Sequence, residues 1–278
     1  MRGLNIAVVD WSAASRPTPA RDSADAIWIG LCTAAGERQI YCRTRAEAEA
    51  RIIAETATGE WLVGFDFPMG YPAGFAARLT GQATARSLHD WLERAVQDGP
   101  DNANNRFELA AAINRRLGGG GPFWGCPVTV DLPGLPRRKI VDYAALGLTE
   151  RRGVEQRIRR AQPVWKLYTT GSVGSQSLTG LPVVARLARR PGTAVWPFEP
   201  PARITLTEVY PSLLDAEVRA EGDAVKDRAQ VRLLARALYR LAGAGHLPAL
   251  LECPPEARSE EGWVLGAGQE PLLRAGLA

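Results

Sequence analysis

Asp10, Asp66, Glu208 and Asp227 are the residues whose type and placement point to chemistry, because each closes an apolar strand pattern or heads the apolar face of a helix pattern. A lone ionised carboxylate in such surroundings is strongly disfavoured, and several together raise one another's pKa unless counter-charge is present. Divalent cations with oxygen ligands supply that charge, and a two-metal site is built from such a cluster of Asp and Glu. Taken singly, each acid has an ordinary role. Asp10 could cap a turn near Ser12, Asp66 hold the Phe67-Pro68 corner, Glu208 pair with an arginine, and Asp227 answer a helix dipole. Taken jointly, their placement favours the cluster.

The elements that must position these acids follow from periodicity. In Leu4-Asn5-Ile6-Ala7-Val8-Val9-Asp10 the parity of Leu4, Ile6 and Val8 carries on to Asp10. Trp61 to Phe65 is apolar on both faces, as in a central strand, and Pro68 stops the ladder just after Asp66. Glu208 follows Ile204 and Leu206 on one face, with Pro211 closing the segment. Val225 to Leu241 holds no Gly or Pro, and Asp227, Val231, Leu234, Leu238 and Leu241 recur in steps of four and three. That spacing places Asp227 at the head of a core-facing stripe.

Upstream, strands are expected near residues 4–11, 26–33 and 37–42, then a helix from about Arg45 to Thr56 and the strand ending at Asp66. The short link between the second and third strands implies a hairpin, with the first antiparallel beside them. A helical crossover makes the fourth parallel to the first. The expected fold is α/β: a mixed five-stranded sheet, its first three strands antiparallel and the rest parallel, flanked by helices. One domain over 1–278 is expected, with a mainly helical cap inserted at about 72–201. Helical patterns in the cap lie near Ala85 to Gln97, Arg106 to Arg116, Glu150 to Arg160 and Pro182 to Arg189.

Composition narrows the class. The 278 residues are 46% hydrophobic, enough for a sizeable core, and a net charge of +4 permits an anionic partner without requiring one. No run approaches the length of a membrane span and no signal-peptide core precedes Asp10, so a cytoplasmic protein with no membrane partner is expected. Cys32, Cys42, Cys126 and Cys253 lack metal-ligand or disulfide spacing. His89 and His246 are the only histidines and no GxSxG elbow is present, which disfavours histidine-based hydrolysis.

The chain resembles the predicted nucleases of RNase H-like fold grouped as the domain of unknown function 429 family. The resemblance rests on Val8-Val9-Asp10-Trp11-Ser12, Gly64-Phe65-Asp66-Phe67-Pro68-Met69-Gly70, Glu208-Val209-Tyr210-Pro211 and Asp227-Arg228-Ala229-Gln230, spread over residues 4–242. It implies a hydrolase cleaving phosphodiesters of a nucleic acid or nucleotide, with Mg²⁺ or Mn²⁺ held by Asp10, Asp66, Glu208 and Asp227. Asp10 would bridge, Asp66 and Glu208 would complete the shell, and Asp227 would hold the nucleophile-side ion. Relatives often carry a second acid about one turn later on the last helix, where this chain has Gln230. That departure supports an alternative, a non-catalytic binding or accessory protein for a phosphorylated small molecule or nucleotide cofactor. Actin-like kinases share the strand order, but Ser12-Ala13-Ala14-Ser15 is not their glycine-rich phosphate hairpin.

Several other segments suggest substrate contacts. Between Arg137 and Lys166 nine Lys or Arg, including Arg137 and Arg138, stand against three acids, a composition suited to a nucleic-acid backbone or to a solvated helix face. Lys166, Ser172 and Ser175 lie in a glycine- and hydroxyl-rich stretch leading toward a helix, as in an anion-binding loop. Gly118 to Gly121 beside Phe123 and Trp124 reads as a lid or, more simply, a loop with core aromatics. Glu260 and Glu261, before Trp263, could bring one acid toward the metal site but are more simply expected at the surface.

Overall fold

The computed structural model describes residues 3–278; residues 1 and 2 of the expected domain lie outside it. The strands are β1 (Leu4–Asp10), β2 (Ile27–Thr33), β3 (Gly36–Cys42), β4 (Glu60–Phe65), β5 (Thr193–Val195) and β6 (Ile204–Glu208). They make one sheet in the order β3-β2-β1-β4-β6-β5. β1, β2 and β3 pair antiparallel, while β4 is parallel to β1 and β6 parallel to both β4 and β5. The sheet thus has six strands rather than five. The extra strand, Thr193 to Val195, lies within the stretch assigned to the cap, and three residues are too few to show a period of two.

Helices cover both faces. α1 (Arg45–Glu55), capped by Thr44, is the crossover from β3 to β4. Between β4 and β5 come α2 (Phe75–Thr80), α3 (Ala85–Ala95), α4 (Arg106–Arg116), α5 (Gly153–Arg157) and α6 (Val173–Ala188). After β6 follow α7 (Asp215–Ala220), α8 (Lys226–Gly243), α9 (Leu247–Leu250) and α10 (Glu270–Ala275). The helix expected over Glu150 to Arg160 shrinks to the five residues of α5, and α2 lacks a long enough pattern to be read. The helix expected from Pro182 begins nine residues earlier, with Pro182 inside it. Burial explains this: α6 has core neighbours on nearly every side, and packing outweighs the propensity cost of a proline. Gly180 permits that packing, because a Cβ there would stand 2.4 Å from the Phe67 ring.

Two apolar cores result, one per face. Val9, Ile29, Val63, Phe65 and Leu206 pack with α3, α4 and α6, whereas Ile6, Val8, Trp28 and Leu62 pack with Val231, Leu234 and Leu238 of α8. The α8 stripe matches its expected spacing. A Cβ at Gly30 would lie 2.5 Å from the Val231 backbone, so only glycine lets α8 settle this close to β2. No helix of the described residues is long and apolar enough to cross a membrane.

Candidate functional site

The strand register sorts the acids. Val9 pairs with Phe65, and the Asp66 N–H donates to the Val9 carbonyl at 2.9 Å, so Asp10 and Asp66 lie side by side at the ends of β1 and β4. Both follow residues of the opposite core and project toward the face covered by α8. Asp227, in the first turn of α8, reaches the same edge and accepts a 3.2 Å hydrogen bond from the Asp25 backbone. Asp10, Asp25, Asp66, Asp227 and Gln230 all line one open cavity of about 810 Å³.

These carboxylates lack basic partners. Burial, then Asp66, Asp227 and Asp25, push the Asp10 carboxyl well above its usual range. Burial, then Glu208 and Asp227, push Asp66 up to about 7. Asp227 is raised by burial, against the lowering effect of the hydrogen bond from the Asp25 backbone. Lys226 offsets this only in part, since its ammonium pairs with Asp215 at 3.1 Å. Such uncompensated charge suits a divalent cation with oxygen ligands. As placed, however, no three His, Cys, Asp or Glu side chains among the described residues stand close enough to share one ion.

Glu208 does not belong to this set. Register pairs it with Phe65, so its side chain leaves the sheet on the face opposite to Asp66. There both oxygens are taken: Arg152 donates to them at 2.7 and 2.8 Å, and the Met69 N–H donates at 2.9 Å. Arg152, 1% exposed, also holds Glu155 at 2.9 Å. Burial opposes the Arg152 charge, but Glu208 and Glu155 outweigh it and raise its pKa above the ordinary value. Burial also raises Glu155, against the lowering effect of Arg152. Glu208 is therefore an ion-paired anchor, the ordinary role weighed above, and not a free metal ligand.

The expected substrate residues divide likewise. Ser172 and Ser175 line the cavity; Arg137, Arg138 and Lys166 do not. Arg137 donates to the carbonyls of Val128 and Val130, and Lys166 to that of Thr170. The basic run between them is largely spent internally: Arg152 as above, Arg151 on the Glu155 and Ala161 carbonyls, Arg160 on that of Ser212, and Lys139 on Glu150. Arg137, Arg151, Arg160 and Lys166 thus serve as caps for carbonyls, while Arg138, Arg157 and Arg159 stay exposed at the surface. Glu260 is buried rather than exposed, accepting from the Gly74 and Ala76 amides at the start of α2. Phe123 is a core residue beside Tyr71, Phe75 and Trp165. His89 is buried with a pKa pulled down to about 3, chiefly by burial, and one ring nitrogen lies 2.6 Å from the Met69 carbonyl.

Two residues escaped sequence reasoning. Asp25 precedes β2, and an antiparallel neighbour starts where β1 ends, so topology alone could have flagged it. Arg106 opens α4, where a positive charge opposes the helix dipole; that misfit was a signal. No family model matches the chain, and no curated protein or solved structure matches it either.

Proposed function

We propose that this protein is a divalent-metal-dependent phosphodiester hydrolase of RNase H-like fold, its cation held by Asp10, Asp66 and Asp227. The observation that carries this reading is that these three carboxylates line one cavity with raised pKa values and no basic partner. Support for the fold assignment comes from the antiparallel β3-β2-β1 edge continued by parallel β4 and β6, with the first acid at the end of β1. Mg²⁺ or Mn²⁺ bound there would lower the pKa of a water and stabilise a leaving oxygen. The carboxylates would turn about their side-chain torsions to share the ion, Asp10 and Asp66 from the sheet and Asp227 from α8. Asp25 supplies further negative charge at the rim, and Gln230 can offer an amide oxygen.

Calorimetric titration with Mn²⁺ at neutral pH tests the cation, and cleavage of labelled single strands, duplexes, hybrids and dinucleotides tests the reaction. Expected are Mn²⁺ binding that Asp10→Asn abolishes and cleavage that Asp66→Asn abolishes. Heat-free titrations, with a melting temperature indifferent to Mn²⁺, would sink the reading. Mn²⁺ and nucleotide binding with no turnover on any substrate would favour the accessory-protein alternative, for which Gln230 in place of an acid is the specific observation.

A further inference from the structure

Part of the lining of the same cavity is built for the opposite charge. It is formed by the segment Leu167 to Ser175, ending in the N-terminus of the sixteen-residue α6, and by Arg106. Ser172 occupies the N-cap position, yet its side chain makes no capping hydrogen bond. Arg106 donates through Nε to Ser175 at 3.0 Å and through one Nη to Ser15 and Asn104 at 2.9 and 2.7 Å. All three partners are neutral. Its neighbour Arg45, by contrast, holds Asp98 through two hydrogen bonds of 2.5 and 2.6 Å. Burial, then Arg45, pulls the Arg106 pKa down to about 10, the response of a cation short of counter-charge. A second polar group in the same cavity is also unspent: Gln230 is 7% exposed and makes no hydrogen bond to a described residue.

A guanidinium without an acidic partner and a helix N-terminus, in one cavity with carboxylates that lack basic partners, fit a ligand that carries its own anion and bridges to a cation. A cavity of about 810 Å³ is the size of a small-molecule site, roughly 300–1,000 Å³, and would not run along a duplex. Tyr168, 42% exposed, adds a flat ring in its lining. We infer that Arg106, Ser172 and the α6 N-terminus form a phosphate subsite, and that the substrate is a nucleotide-sized phosphate ester rather than a long nucleic acid. This rests on the cation reading for the reaction, but the subsite is separable from it.

The test is calorimetric titration with AMP, once in Mn²⁺ and once in EDTA, of the wild type, Ser172→Asp and Arg106→Gln. Ser172→Asp puts a negative charge where the α6 dipole favours it, so the helix is kept while an anion is repelled. AMP affinity should fall at least about tenfold in each variant, as for loss of a charge-assisted hydrogen bond, while Mn²⁺ affinity stays the same. If Arg106→Gln does not fold, Ser172→Asp alone carries the test. Unchanged AMP affinity in the folded variants, no AMP binding in either buffer, or a long single strand binding more tightly than AMP would overturn the inference. AMP binding that depends on Ser172 without any Mn²⁺ binding would uphold the subsite and remove the cation reading. Mn²⁺ binding without AMP binding would do the reverse.

Discussion

Asp66 and Glu208 stand at the ends of neighbouring parallel strands, one residue apart in register, and their surroundings are opposite. Glu208 faces a guanidinium and a backbone amide, and its charge is spent on fixing Arg152, Glu155 and the turn at Met69. Asp66 lies beside Asp10 with no arginine on its carboxyl, and burial, then Glu208 and Asp227, push it up to about 7. A single step along a strand turns the side chain to the other face of the sheet, and that step separates an acid that holds the fold together from one that strains it. A strained acid gains from a cation, whereas a satisfied one would first have to give up its arginine.

The largest effect should come from breaking the satisfied side. Arg152→Met leaves Glu208 and Glu155 buried without a partner, and removing one member of a buried ion pair costs about 3–5 kcal/mol. Urea unfolding should show that loss in the variant, and Mn²⁺ should not restore it. Restoration by Mn²⁺ would mean that Glu208 joins the cation set once released.

The unsatisfied side should respond with the opposite sign. The folded-state pKa of Asp66 lies above its ordinary 3.8, so its contribution favours folding at low pH and is lost as pH rises through about 7. In EDTA, Asp66→Asn should therefore stabilise the protein at pH 8 by roughly 1–3 kcal/mol and leave it little changed near pH 4. Melting curves from pH 4 to 8 check this. His89 acts in the other direction over part of the range, because its pKa is lowered and stability falls as pH drops below about 6.5. The comparison of variant with wild type at each pH cancels that background. Equal melting temperatures at pH 8 would mean that Asp66 is already compensated.

Much of this arrangement could be read from the chain. Parity with Leu4, Ile6 and Val8 set Asp10 at the end of its strand, the doubly apolar run before Asp66 set that residue at the end of another, and the steps of four and three set Asp227 at the head of a core-facing stripe. The strand pairing then brings them together under α8. Glu208 was misassigned because parity within one strand does not say which face of a neighbouring strand it shares. Only the pairing of Phe65 with Glu208 fixes that. Arg152 was hidden for a related reason: it sits 56 residues from Glu208, in a loop where a basic residue looks like any other surface charge. Ser172 and Ser175 were legible through the glycine- and hydroxyl-rich approach to a helix. Their partner Arg106, 69 residues from Ser175, was not.

Gln230 gives the mildest way to sharpen the contrast. It lies three residues after Asp227 on α8 and lines the same cavity, so Gln230→Glu adds a carboxylate to a cluster already short of positive charge. In EDTA at pH 8 the added repulsion should lower stability by about 1 kcal/mol, the scale of a partly screened like-charge pair. In Mn²⁺ the same carboxylate becomes a ligand, and the melting temperature should rise above that of the wild type under the same conditions. The sign reversal is the informative result, because steric disturbance at this position would lower stability equally with and without the ion. A variant weakened to the same extent in both buffers would show that the cation lies out of reach of position 230, leaving the three aspartates to hold it alone.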